Sequence, residues 1–257
     1  MLTYIDSHAH YDDEQFDFDR DELLPRLHKN GVRNIVNIGC SLERSQFSVD
    51  LAESYPFIYA AVGIHPEDAP NTPSDYLPKL MQWTENPKVT AIGEIGLDYH
   101  YDGYDKNLQM RFFEEQLDLA ESVNLPVVIH SRDAAEDTMN ILRKRGKVNG
   151  VMHCFSGSAE TARQVLELGM NISFTGVLTF KNARKAIEAL KTIPLERLML
   201  ETDCPYMAPE PNRGKRCDSG MIVYTIDKIA EIKGISPEIV AEATTENTLR
   251  LFHRIAK

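Results

Sequence analysis

Short apolar runs recur along the chain, each followed by a polar loop and then by a stretch with apolar residues at helical spacing. The runs predict eight strands: Thr3–Ser7, Asn34–Ile38, Ile58–Gly63, Val89–Glu94, Pro126–His130, Gly150–His153, Asn171–Thr175 and Arg197–Glu201. Between them, Met110, Phe113, Leu117 and Ala120 keep an i, i+3, i+7, i+10 rhythm that lines up one apolar helix face. Ala162, Val165 and Leu166 form another such face, which stops at Gly169. Gly31, Gly146, Gly169 and Gly234 stand where helices should end, because a left-handed closing residue costs glycine least. Asp133-Ala-Ala-Glu136 reads as a capping box, and Ser236-Pro237 as an N-cap with proline at the first helical position of a final helical region.

Strands alternating with helices, eight of each, predict an α/β fold of the (β/α)8 TIM-barrel type, continuous over residues 1–257 as a single domain. An open doubly wound sheet is the competing arrangement. It is disfavoured because the first strand–helix turn carries no Gly-rich phosphate loop.

Composition narrows the function. The chain has 39 acidic and 28 basic side chains, a net charge of −11, which argues against a protein that binds nucleic acid by charge alone. An enzyme that meets phosphates through bound metal and a local basic rim stays open. No apolar run approaches the ~20 residues of a membrane span, and the first residues lack the basic and apolar regions of a signal peptide. Cys40, Cys154, Cys204 and Cys217 show no Cys-x-x-Cys spacing and read as reduced thiols. These features predict a cytoplasmic protein without a membrane partner, with a monomer as the default state.

Chemistry is concentrated at the predicted strand ends. His8 and His10 close the first strand, and an i, i+2 pair in extended chain points both imidazoles to one side. Glu94 ends the fourth strand, His130 the fifth and His153 the sixth, while Asp203 follows the eighth. In a barrel these ends converge on the face where active sites are built. Four imidazoles and two carboxylates exceed the ligands of one catalytic ion but suit two ions that share a carboxylate.

The motifs His8-Ala-His, Gly93-Glu-Ile-Gly-Leu-Asp, Ile129-His-Ser-Arg-Asp, His153-Cys-Phe-Ser-Gly, Glu201-Thr-Asp-Cys-Pro-Tyr and Thr244-Thr-Glu-Asn resemble, in order, those of the TatD family of metal-dependent hydrolases. The resemblance runs from residue 3 to residue 255. It implies a TIM barrel and a deoxyribonuclease, often a 3′-end exonuclease, with DNA as a transient partner. It also implies one ion on His8, His10, Glu94 and Asp203 and a second on Glu94, His130 and His153. One segment departs from the family pattern: after Arg213-Gly-Lys-Arg216 the family usually continues Asn-Glu-Pro, whereas this chain reads Cys217-Asp-Ser-Gly220.

On this reading two divalent ions (Zn, Mg or Mn) activate a water, Glu94 bridges them, and Asp203 accepts the proton as general base. A carbonyl-directed amidohydrolase or lactonase, or a small-phosphoester hydrolase, would use the same hydroxide. His65, Arg132, Arg213, Lys215 and Arg216 are the candidate substrate contacts, with Lys181, Arg184 and Lys185 as further rim cations. Tyr99, Tyr101, Phe155 and Phe180 are candidates for stacking bases near the mouth. Glu201 is a candidate for orienting a ligand, and His28 and His253 read as structural.

Overall fold

The computed structural model describes residues 2–256 and contains the expected barrel. Its strands are β1 (Tyr4–Ala9), β2 (Val32–Ile38), β3 (Ile58–Val62), β4 (Val89–Asp98), β5 (Val127–Arg132), β6 (Gly150–Met152), β7 (Asn171–Phe174) and β8 (Leu198–Leu200). The helices that follow them in turn are α1 (Arg20–Lys29), α2 (Leu42–Ser54), α3 (Tyr76–Thr84), α4 (Lys106–Ser122), α5 (Ala135–Arg145), α6 (Ala159–Glu167), α7 (Arg184–Thr192) and α8 (Ile222–Lys233). A ninth helix, α9 (Pro237–Leu251), starts at the predicted Ser236 cap, which accepts from Ile239 N. Neighbouring strands pair in parallel from β1 to β8. Across the seam between β8 and β1, Ser7 Oγ donates to Leu200 O (2.8 Å), Asp203 N to His8 O (3.0 Å) and His10 N to Cys204 O (2.9 Å). No described helix is long and apolar enough to cross a membrane, and the four cysteines are free.

Because both strand faces are covered, alternate residues serve two cores. Ile35, Ile92, Ile129 and Leu200 pack outward with helix residues such as Leu24, Phe113 and Val165. Val36, Ile38, Ala91, Val128, Val151 and Met199 point into the barrel, where Leu251, Phe252 and Ile255 from the C-terminal segment meet them. Arg254 Nη1 fastens that segment by donating to Thr84 O, Asn86 O and Val89 O. One end of the barrel is therefore filled with hydrocarbon and the other is left to polar side chains.

Two register shifts aim those side chains. On β4, Ile92 pairs with Val127 but Ile95 pairs with Ile129, so one extra residue is inserted. Ala91 faces inward before this bulge, and Ile95 and Leu97 face outward after it, which turns Glu94, Gly96 and Asp98 to the inside. Glu94 thus lies in mid-strand and not at the strand end as expected, because the bulge and not the end of the ladder re-aims it. On β1, Asp6 pairs with Ile35 and Ala9 with Asn37, which is again an extra residue, just before His8 and His10. At Gly96 (φ +146°) a Cβ would run into the His130 carbonyl oxygen, so only glycine lets β4 lie flush against β5 here.

One expected cap is absent. Asp133 does not cap α5: it adopts φ +53°, and its carboxylate turns to His100 Nδ1 at 2.9 Å, leaving Ala134 at the cap position without a side-chain bond. Gly31, Gly146, Gly169 and Gly234 do take positive φ at helix ends.

Phe252 is fully buried at the filled end. Phe252→Ala is expected to cost about 3–5 kcal/mol by cavity formation, read in urea unfolding as a lower midpoint at unchanged m-value.

Candidate metal centre and active-site cavity

The six residues singled out at the strand ends come together at the open end of the barrel. His8 Nε2 and His10 Nε2 are 3.0 Å apart. Glu94 Oε2 lies 3.4 and 3.8 Å from them, and Asp203 Oδ1 3.5 and 3.3 Å. The other oxygen of the same carboxylate, Glu94 Oε1, lies 2.8 Å from His130 Nδ1 and 2.7 Å from His153 Nε2, which are themselves 3.3 Å apart. Glu94 therefore stands between two donor clusters and offers one oxygen to each.

The separations of the first cluster, 3.0–3.8 Å, are close to those around a divalent cation, whereas Glu94 Oε1 sits at hydrogen-bond distance from His130 and His153 and would draw back to admit one. Donors placed tetrahedrally about 2.0–2.1 Å from a zinc-sized ion lie about 3.3–3.4 Å from one another. Tautomers are set from behind. His10 Nδ1 faces the Ile38 carbonyl at 3.1 Å, and because a carbonyl only accepts, Nε2 is left with its lone pair toward the cluster. His130 Nε2 donates to Asp98 Oδ2 at 2.9 Å, which frees Nδ1 toward Glu94. Glu201 stands behind His153, with Oε1 3.6 Å from Nδ1, and is itself held by Cys154 N and Ser173 Oγ. Lone-pair nitrogens packed this closely in a buried site repel one another unless a cation lies between them.

The electrostatics follow from the same packing. Burial opposes charge on Glu94, but the His153 and His8 rings overcome it and hold the carboxyl well below its ordinary range. Asp203 is likewise held at about 2, burial being outweighed by His10 and His8. Burial and repulsion from His130 push His65 down to about 3. Against burial, Cys40 and Asp203 raise His10, and Glu94 and Glu201 raise His153, both well above the ordinary imidazole value. Cations must displace those protons, so metal affinity falls as pH is lowered.

Three supporting groups escaped the reading of the sequence. Asp98 was visible inside a motif but not assigned, because its inward direction depends on the bulge. Gln109 and Gln116, seven residues apart on α4, are buried and clamp backbone at the open end. Gln109 exchanges two hydrogen bonds with the backbone of Asp98, and Gln116 two with that of Ile64, next to His65. A buried glutamine pair at helical spacing was the available signal. Cys40 Sγ lies 3.7 Å from Glu94 Oε2.

The clusters open into a cavity of about 570 Å³. His65 lines it, with Nε2 3.7 Å from Glu94 Oε1, and so does Arg132, whose guanidinium lies over the exposed Tyr101 ring. Arg213 and Lys215 are on a neighbouring part of the rim. Arg216 is otherwise engaged: it holds Asp19 with two bonds of 2.7 and 2.6 Å and lies over Phe16 and Phe18. Phe155 is buried against Phe174, Tyr99 is half-buried and stacks on Tyr104, and Phe180 is half-buried beneath Arg213. His28 packs on Phe57, and His253 lies just past α9. The departing segment 217–220 faces inward: Cys217 and Ser219 are buried, and Ser219 Oγ donates to Asp6 Oδ2, so it anchors the β8 loop from below.

Residues 5–253 match the profile of the TatD related DNase family. The chain is 45% identical over 250 residues to an uncharacterized metal-dependent hydrolase, YabD, of Bacillus subtilis (strain 168), covering 96% of this chain and 98% of that protein. It is 36% identical over 257 residues to the uncharacterized metal-dependent hydrolase YcfH of Escherichia coli (strain K12), covering 98% and 96%. The crystal structure of YjjV, a TatD homologue from Escherichia coli K12, superposes with a TM-score of 0.92 at 32% identity, covering 97% and 98% of the two chains.

Removing the acceptor behind His130 tests the centre. Asp98→Ala is expected to weaken divalent-ion affinity about 10–100-fold in chelator competition while the far-ultraviolet circular dichroism spectrum stays unchanged.

Proposed function

The chain belongs to the TatD related DNase family and is a metal-dependent hydrolase, and from that premise we propose that it cleaves phosphodiester bonds of DNA, releasing nucleotides from a 3′ end. The observation that carries this reading is the shared Glu94 carboxylate, one oxygen in each of two donor clusters, at the floor of a cavity with Arg132 at its mouth.

Two divalent cations, when bound, would supply a water of lowered pKa and offset the charge that grows on the phosphate oxygens. His8, His10, Glu94 and Asp203 would hold one, and Glu94, His130 and His153 the other. Imidazole-rich donors favour zinc or another transition ion, whereas the carboxylates also accept Mg or Mn, so we assign a site that takes several divalent ions. Asp203 touches only the first cluster and is ionised at neutral pH, so it can accept a hydrogen bond from the attacking water, and we assign it as the group that takes the proton. His65 and Arg132 would bind the phosphate from the β3 and β5 sides. Arg216 is assigned to holding the mouth together through Asp19, leaving Arg213 and Lys215 to meet substrate.

The test is nucleotide release from 3′-labelled and 5′-labelled single-stranded DNA with Mg, Mn or EDTA. Metal-dependent release from the 3′ label first is expected, with at least a 10³-fold loss in Glu94→Ala and in Asp203→Asn. Two ions bound per chain and no action on DNA would move the assignment to a carbonyl-directed or small-phosphoester hydrolase.

A further inference from the structure

Beside the catalytic cavity lies a second concavity of about 330 Å³, and Tyr206 and Met207 line both, so the two meet along that edge. Its walls come from three loops, with Gln15 contributed by the segment between β1 and α1. Phe180 precedes α7, and Arg213 and Lys215 belong to the loop between β8 and α8. Both cations are exposed, and neither forms an ion pair among the described residues; Lys215 reaches only Asn212 Oδ1, at 3.4 Å, whereas the adjacent Arg216 is paired with Asp19. The Arg213 guanidinium carbon lies 4.4 Å from the centre of the Phe180 ring, a cation–π contact that sets positive charge against an aromatic face.

The other exits from the catalytic cavity are less suited to a polyanion. Elsewhere the lining includes Glu67 and Asp68 on the β3 side, and its Arg44 is paired with Asp12. A concavity of about 390 Å³ on the α5 side sets Asp133 and Glu136 against a single Lys185. Past Arg132 at the mouth, a chain of phosphates leaving the centre thus meets unpaired positive charge mainly beyond Tyr206 and Met207.

We propose that this second concavity is a nucleotide subsite. It takes a nucleotide on the 5′ side of the scissile pair of single-stranded DNA, one that a dinucleotide lacks, with the base stacked against Arg213 and Phe180 and a phosphate against Lys215. This rests on the DNA phosphodiesterase reading above. Stacking on a guanidinium and a phenyl ring is tolerant of base identity, so the subsite confers preference for length and single-strandedness, not for sequence. Duplex DNA keeps its bases paired and cannot offer one to these side chains.

The experiment compares cleavage of oligodeoxythymidylates of two and eight nucleotides by the metal-loaded enzyme. For wild type we expect a KM about tenfold lower for the octamer than for the dinucleotide. Arg213→Gln/Lys215→Gln together, and Phe180→Ala separately, should erase most of that advantage by raising the octamer KM. Lys191→Gln, which removes a distant surface charge paired with Glu188, should keep it. An unchanged length advantage in both groove variants overturns the subsite. If wild type leaves DNA intact but hydrolyses bis(p-nitrophenyl) phosphate, the DNase reading falls by itself. Fluorescence anisotropy of the octamer on that intact holoenzyme then decides the groove: binding weakened about tenfold in the double variant sustains it, and absent or unaltered binding removes it. In the sustained case, losing the phosphate contact of Lys215 should also lower the slope of log affinity against log salt by about 0.7.

Discussion

The arrangement of the site depends on one carboxylate lying between two groups of imidazoles. Glu94 offers an oxygen to each, and it occupies that place because β4 holds one residue more than β5 across the same stretch. Strict alternation would have sent this side chain outward into the layer of helices, an expensive place for a carboxylate without partners. With the bulge, its charge is matched by the rings it faces. The same insertion sets the direction of Asp98, which fixes the tautomer of His130. A single backbone irregularity thus serves both a ligand and the group that orients another ligand.

The rest of the barrel divides between this end and the other. Hydrocarbon fills one end, sealed by Phe252 and tied by Arg254 to three carbonyls, and stability concentrates there. The open end carries the conformations that folding alone would avoid. Asp133, Cys154, Asp203 and Met207 all take positive φ in loops that follow strands. Each costs of order 1–3 kcal/mol and is held by its surroundings; Asp203, for instance, is fixed by its own amide donating to His8 O. The glutamines of α4 do similar work from outside the sheet, gripping backbone beside Asp98 and His65, so that the site rests on a rigid helix as well as on loops.

Much of this was readable from the chain. Eight apolar runs with helical stretches between them led to the barrel, and the placement of His8, His10, His130, His153 and Asp203 near strand ends led to one face. What could not be read was direction inside a strand. Period-two reasoning assumes an unbroken ladder, and both β1 and β4 break it within a few residues of the ligands they carry. Asp133 followed the pattern of a cap yet is turned away by a left-handed backbone, which has no sequence signature beyond tolerance for a short polar residue. Arg213, Lys215 and Arg216 look alike as a basic run. Only the fold shows that Asp19 claims one of them and leaves two exposed.

Charge at the mouth reconciles an acidic protein with an anionic substrate. At physiological salt the screening length is about 8 Å, so the net −11 of the whole chain matters less to a phosphate than the groups around it. At the centre itself Glu94, Asp98 and Asp203 are all held ionised, and without metal the protons drawn onto His10, His130 and His153 offset that charge. Two divalent ions, in the number proposed, would displace those protons and leave the three carboxylates and the ions with a formal charge of about +1. Metal loading on this view replaces protons with cations fixed where a phosphodiester would bind, while the cations beyond Tyr206 and Met207 act at any metal content. The two sources of positive charge are separable in principle: one is tied to the metal and the other to salt.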